Sequence, residues 1–150
     1  MVVVYCDAAH DSDACCGAIA FVVVRGSDVS DVVVRDFTNF LGTTQDLEYI
    51  AVRAAMAYIE RHLVGACATI FSGSEIALRD AARIANPYIQ LEWVGRKRNL
   101  AHKYAVRRLR QLRASVARAY AQADAQPVPE REVAEARRSA PALVGAPTAT

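Results

Sequence analysis

Residues 2–7 read Val2-Val3-Val4-Tyr5-Cys6-Asp7. A short run rich in β-branched residues predicts a strand buried on both faces of a sheet. An ionised carboxylate is costly in such a strand unless something pairs with it or binds it. Asp7 is therefore either an ordinary strand-end carboxylate or a residue that holds a cation.

Outward from this strand, residues 8–13, Ala8-Ala9-His10-Asp11-Ser12-Asp13, read as a polar turn. Residues 15–25 form a second apolar run, in which Gly17 marks a bulge or a close backbone approach. Gly26-Ser27-Asp28 is a turn signal, and residues 29–40, with Val32-Val33-Val34-Arg35-Asp36-Phe37, predict a third strand. Three runs joined by short turns predict an antiparallel meander.

The period then changes. Thr43 or Thr44 opens a helix, with Thr44 as the expected hydroxyl cap and Glu48 as an acid in the first turn. Leu47, Ile50, Ala51, Ala54, Ala55, Tyr58 and Ile59 recur at helical spacing up to Arg61. Gly65 closes this unit. Residues 66–71 predict a fourth strand, and Ser74 caps a short helix over 75–84 that Asn86-Pro87 stops. Residues 89–94 alternate as a fifth strand. Residues 95–98 form a basic turn before a last helix over 99–122. Strands four and five need helical crossovers, so the order β-β-β-α-β-α-β-α predicts an α/β fold. It has a five-stranded mixed sheet with helices on its faces. Residues 1–122 are the expected domain. Residues 123–150 are rich in alanine and proline and read as a flexible tail, a candidate segment for a protein partner.

Composition agrees with a globular chain: 150 residues, 53% hydrophobic and 23% charged. No apolar stretch approaches the ~20 residues that span a bilayer, and the apolar run at residues 2–6 is short for a secretory signal. A cytoplasmic protein without a membrane partner is expected. Cys6, Cys15, Cys16 and Cys67 form no C-x-x-C pair, so reduced, buried thiols are expected rather than a zinc site or a disulfide framework. The net charge of +2 conceals a division. Residues 1–94 carry 12 acidic and 6 basic side chains, whereas residues 95–122 carry 9 basic and no acidic ones. A positive block on one element is either a footprint for a polyanion or a solvated helix face.

Four places converge at the strand ends of such a sheet, where ligands gather: Asp7, Glu48, Ser72-Gly73-Ser74 and the segment 99–102. Here the residues resemble a known family. Tyr5-Cys6-Asp7 precedes a glycine-containing second strand. Thr43-Thr44-Gln45-Asp46-Leu47-Glu48-Tyr49 opens the first helix. Thr69-Ile70-Phe71-Ser72-Gly73-Ser74 follows, and Trp93-Val94-Gly95-Arg96 leads to Asn99-Leu100-Ala101-His102. Taken in order over residues 2–117, this set is similar to the type 1 ribonuclease H fold, especially its reverse-transcriptase-like branch.

The resemblance implies a site of four acids holding two magnesium ions, one activating a water and one stabilising the leaving 3′ oxygen of an RNA strand. Asp7 and Glu48 match the first two acids. The third position holds Gly73 and the fourth His102. Imidazole suits manganese better than magnesium, so the expected cofactor is Mg²⁺ or Mn²⁺ if Asp7, Glu48 and His102 bind metal, and none otherwise. Glu75, Asp11 and Asp13 are candidate substitutes for the missing carboxylates. Tyr49, Tyr58 and Trp93 are expected in the core rather than as platforms for bases.

The resemblance also gives the basic block a role, holding the phosphates of an RNA–DNA hybrid or RNA. Arg96, Lys97, Arg98 and Asn99 lie beside the site, and Lys103, Arg107 and Arg110 form a stripe on the last helix. Three readings stay open. The first is a ribonuclease H-like nucleic-acid-binding protein with lost or weak phosphodiester cleavage. The second is an active metal-dependent endoribonuclease using Asp7, Glu48, His102 and a substitute carboxylate. The third is a protein-interaction module on an idle fold.

Overall fold

Three antiparallel strands open the chain: β1 (Val2–Asp11), β2 (Cys16–Arg25) and β3 (Asp28–Thr38). They are followed by α1 (Thr44–His62), β4 (Ala68–Ser72), α2 (Glu75–Ala82), β5 (Ile89–Trp93), a 3₁₀ turn (Arg96–Arg98) and α3 (His102–Ala125). The structure is a computed structural model, and it describes residues 1–125. The sheet order is β3-β2-β1-β4-β5, with β4 and β5 parallel to β1. The mixed five-stranded sheet expected from the residue pattern is thus the sheet observed. The chain divides into two units, Met1–Val116 and Ala117–Thr150. The first holds the sheet, α1 and α2. The described part of the second, residues 117–125, is helical. The expected tail lies almost wholly outside the described residues. Among the described residues no helix is long and apolar enough to cross a membrane.

Strand alternation distributes β2 between two cores. Ile19, Phe21 and Val23 face α1, where they meet Leu47, Ala51, Ala55 and Ile59. Ala20 and Val22 face the other way, against Ala101 and Ala105, and Ala18 packs near Leu112 of α3. Burying each large apolar side chain contributes roughly 1.5–3 kcal/mol. The helical spacing read along α1 therefore matches its buried face. Ala101, just before α3, and Ala105, within it, are fully buried, whereas Leu100 is 40% exposed.

Several boundaries differ from expectation, each for a tertiary reason. β1 continues four residues past Asp7, because Ala8 and Ala9 are small enough to lie between the sheet and its helices. The turn begins at Asp11, whose Oδ1 accepts from the N–H groups of Asp13 and Ala14, each at 3.0 Å. The α1 cap is Thr43, not Thr44. Its Oγ1 accepts from Asp46 N at 3.2 Å while Asp46 Oδ2 accepts from Thr43 N at 2.7 Å, a reciprocal capping box. Asp46 is thereby the acid at the helix N-terminus, and Glu48 is free for another role. Gly17 marks a close approach: a Cβ there would overlap Leu47 Cδ1. The bulge lies elsewhere, between Val23 and Val24 opposite β3. The four cysteines are free, as expected, but only Cys6 and Cys16 are buried; Cys67 is exposed at the sheet's other end.

Candidate nucleic-acid interface

Asp7 stands at the point where the pairing of β1 changes. Up to Cys6, β1 pairs with β4 on one side; Cys6 opposes Ser72, the last residue of β4. Beyond that pair β4 no longer covers β1, so Asp7 meets the open end of the β1–β4 seam while the rest of β1 still pairs with β2. Its side chain is 9% exposed. His102, the first residue of α3, brings Nδ1 to 2.7 Å from Asp7 Oδ2. Burial raises the Asp7 pKa above the usual carboxylate range. The His102 hydrogen bond and charge, then the Arg96 charge, oppose that rise.

Glu48 reaches the same place from α1. Burial, then the negative charge of Asp7, pushes its pKa up to about 8, against the pull of Arg96. Its Oε2 atom is buried and has no hydrogen-bond partner. Gly73 follows β4 on the near side: a Cβ built there would lie 3.9 Å from Asp7 Oδ1, within ordinary contact distance. The position implied for the third acid thus adjoins Asp7 and carries no side chain. Asp7, Glu48, Gly73 and His102, far apart in sequence, are brought to one end of the sheet.

An open cleft of about 460 Å³ adjoins these residues, lined in part by Thr44, Gln45, Glu48, Gly73, Glu75 and Trp93. Gln45 Nε2 donates to Ser74 Oγ at 2.8 Å, tying α1 to the N-terminus of α2. Trp93 Nε1 donates to Gly73 O at 3.2 Å, and the ring is 57% exposed. Trp93 was expected in the core. It stands outside because the indole belongs to an edge strand and its hydrogen bond holds it across the cleft rim. Tyr58 and Tyr49 do pack against the core, as expected. Gln45 received no role from the sequence, although it sits inside the Thr43–Glu48 motif; a polar side chain two residues past the cap was the available signal.

Asn99 was expected as a phosphate contact and is instead buried, 5% exposed. Its Nδ2 donates to Cys6 O at 2.9 Å and its Oδ1 accepts from Ala101 N at 3.1 Å. The amide joins the entrance of α3 to β1 and so places His102 over Asp7. Asp11 is not placed to substitute for a missing acid. Asp11 lies four residues along β1 from Asp7, about 13 Å at the rise of a strand. It holds the turn and pairs with Arg113 Nε at 2.8 Å. Glu75, at the start of α2, does face the cleft.

The two-cation centre implied by the resemblance finds a reduced donor set. Gly73 offers no side-chain oxygen, Asp7 Oδ2 and His102 Nδ1 are engaged with each other, and among the described residues no group of three or more His, Cys, Asp or Glu side chains converges to hold an ion. Two carboxyl groups and one imidazole stand where the resemblance implies four acids. What they form is a part-buried acid–imidazole pair beside a buried carboxyl group whose pKa is pushed up to about 8.

Arg96, Lys97 and Arg98 are exposed on the 3₁₀ turn, and Lys103, Arg107 and Arg110 are exposed along α3. Arg108 and Arg113 are committed within the fold, to Asp36 and Asp11. Lys103 Nζ lies 5.0 Å from the centre of the Tyr104 ring. Among the described residues the stripe Lys103, Arg107, Arg110 has no ion pair, so its charge is directed to solvent.

No protein-family model matches the sequence, and no curated protein matches it. Solved structures do. The N-terminal RNase H domain of a Mycobacterium tuberculosis protein, solved as a fusion with maltose-binding protein, is 19% identical. The match covers 79% of this chain and 97% of that domain, with a TM-score of 0.58. RNase H1 from the halophilic archaeon Halobacterium salinarum is 16% identical over 69% of this chain and 92% of its own, with a TM-score of 0.56. LC11-RNase H1, isolated from compost, was solved in complex with an RNA/DNA hybrid; it is 13% identical over 70% of this chain and 93% of its own, with a TM-score of 0.56. At these identities the likeness concerns architecture, and it establishes that this chain has the ribonuclease H-like fold.

Proposed function

We propose that this chain is a ribonuclease H-like nucleic-acid-binding protein, directed at an RNA–DNA hybrid or structured RNA, in which phosphodiester cleavage is lost or weak. The observation that carries the reading is the closed contact between Asp7 and His102 beside the bare Gly73. Two-metal cleavage needs several free carboxylate oxygens at one point. Here one oxygen of Asp7 is held by the His102 imidazole, the Glu48 carboxyl is buried with its pKa pushed up to about 8, and the third position has no side chain. Binding needs none of this. Arg96, Lys97 and Arg98 flank the site, and Lys103, Arg107 and Arg110 continue the positive surface. Such a surface contacts phosphates without sequence preference and reads a hybrid by its shape and 2′-hydroxyls. One neighbour of this fold was solved on an RNA/DNA hybrid, which supports that class of ligand.

Glu48 Oε2 favours a second reading. It is a buried, unpartnered oxygen beside another carboxylate, and either a proton or a shared Mg²⁺ or Mn²⁺ ion would satisfy it. In that reading Asp7, Glu48 and His102 are the catalytic set of a working ribonuclease. The third reading is an interaction module on an idle fold, engaging a protein through the tail or the basic helix; no observation among the described residues favours a protein over a polyanion there.

One set of assays separates them: hybrid binding against salt, and hybrid cleavage with Mg²⁺ or Mn²⁺, for the natural chain, Gly73→Asp, and Gly73→Asp with His102→Asp. The expected result is salt-dependent binding by all three, negligible cleavage by the natural chain, and a gain in the doubly restored variant. Robust natural cleavage that Asp7→Asn or Glu48→Gln abolishes would establish the second reading instead. Absence of hybrid and RNA binding at low salt would reject both.

A further inference from the structure

Strand β3 ends the sheet, and among the described residues nothing pairs with its outer edge. A long unpaired edge is a template for another strand, and native edges are usually blunted by proline, bulges or charge. β3 has no proline. Its irregularity is confined to its start, where Val23 opposes Asp31 and Val24 opposes Val29, leaving Ser30 as the extra residue. From Asp31 to Thr38 the ladder with β2 is continuous, so the outer edge is regular there too.

The sequence along that edge is Asp31-Val32-Val33-Val34-Arg35. Laid antiparallel on a second copy of itself about Val33, it is self-complementary. Each Asp31 falls opposite Arg35 of the other copy, each Val32 opposite Val34, and Val33 opposite Val33. Neighbouring registers lack this match. Centring on Val32 sets Asp28 opposite Asp36, and centring on Val34 sets Asp31 opposite Phe37 and Val32 opposite Asp36. Opposite charges across a strand pair stabilise it and like charges oppose it, so the charge pattern selects one register. A two-fold symmetric interface requires this kind of self-complementarity.

The side chains are placed for it. Val32 and Val34 are 39% and 36% exposed on one face of the sheet. On the other face Asp31 Oδ2 accepts from Tyr58 Oη at 2.7 Å, which holds the carboxylate in position and leaves Oδ1 to accept from a guanidinium. Arg35 is exposed and makes no ion pair among the described residues. We propose that β3 is a homodimerisation strand, through which two copies of this chain join edge to edge, antiparallel about Val33, so that their two five-stranded sheets become one. The inference is independent of the reading given to Asp7, Glu48 and His102.

A single strand pairing buries little surface and belongs with weak, reversible interfaces, so sedimentation velocity of the full chain from about 1 to 500 µM is the measurement. A concentration-dependent dimer is expected. Arg35→Asp, which leaves the Tyr58 hydrogen bond intact, places carboxylates opposite each other twice and weakens the dimer at least about tenfold. Adding Asp31→Arg to that variant exchanges the two charges and returns the dissociation constant to within about threefold of the natural value. Circular dichroism checks that each variant is folded. A chain that stays monomeric throughout, a dimer indifferent to Arg35→Asp, or a charge-exchanged variant that does not regain the dimer overturns the proposal.

Discussion

His102 Nδ1 and Asp7 Oδ2 lie 2.7 Å apart, joining residues 95 positions apart in sequence. The hydrogen bond places an imidazole where the resemblance implies a fourth carboxylate, and it supplies the main force opposing the effect of burial on Asp7. His102→Ala therefore raises the Asp7 pKa further, as carboxyl-carbon NMR would show. Because the folded pKa of Asp7 lies above its unfolded value, its protonated form favours the native state. The associated stability is present at low pH and is lost as pH rises through the folded pKa. The variant makes that loss larger, by roughly 1–2 kcal/mol at neutral pH, because it leaves a buried acid without its partner. Urea titrations at pH 4 and pH 7 measure the difference, and a variant with an unchanged pH dependence would show that the hydrogen bond has no energetic weight.

Glu48 predicts a second pH effect. Its folded pKa is about 8 against an ordinary value of 4.5. Stability from its protonated form is complete below pH 4.5 and is lost as pH rises toward 8 and beyond. Glu48→Gln keeps the shape and removes the ionisation. The natural chain should lose about 4 kcal/mol between pH 4.5 and pH 8.5 through this group, and the variant should show a correspondingly flatter profile.

Gly17 tests the packing of α1 on the sheet. Gly17→Ala drives a methyl group into Leu47 and within 3.2 Å of Ala9 O. A destabilisation of about 1–3 kcal/mol is expected. Leu47→Val in the same chain should recover part of it, since the clash involves the end of the Leu47 side chain. Thermal melts of the single and double variants check the coupling.

For the basic stripe, the informative quantity is a slope. If the proposed binding is correct, changing Lys103, Arg107 and Arg110 together to glutamine lowers the dependence of hybrid affinity on salt by about 2 to 3, close to one for each phosphate no longer neutralised. Arg108→Gln and Arg113→Gln should leave the slope nearly unchanged and instead weaken the attachment of α3, because those side chains bond to Asp36 and Asp11. Equal effects from both groups would reject the stripe as the phosphate-binding surface.

Much of this molecule follows from short-range pattern. The apolar runs at residues 2–7 and 15–25, the helical spacing of Leu47, Ala51, Ala55 and Ile59, and the turn residues between them specify the elements, because each depends on neighbours a few positions away. Their order, with hairpins first and crossovers after, leaves few ways to build the sheet. The family motifs also single out Asp7, Glu48, Gly73 and His102, which the fold brings to one end of it. The exchange of Thr44 for Thr43 as the cap, the inward turn of Asn99, the outward stand of Trp93 and the division of the arginines into committed and free ones were not legible in this way. Most of these depend on a partner remote in sequence: Asn99 on Cys6, Trp93 on Gly73, Arg108 on Asp36. Thr43 is settled by its reciprocal bond to Asp46. Residue type states what a side chain is able to bond. Which bond it makes depends on what the fold places within about 3 Å, and that distance is fixed by the packing of whole elements rather than by any local run of sequence.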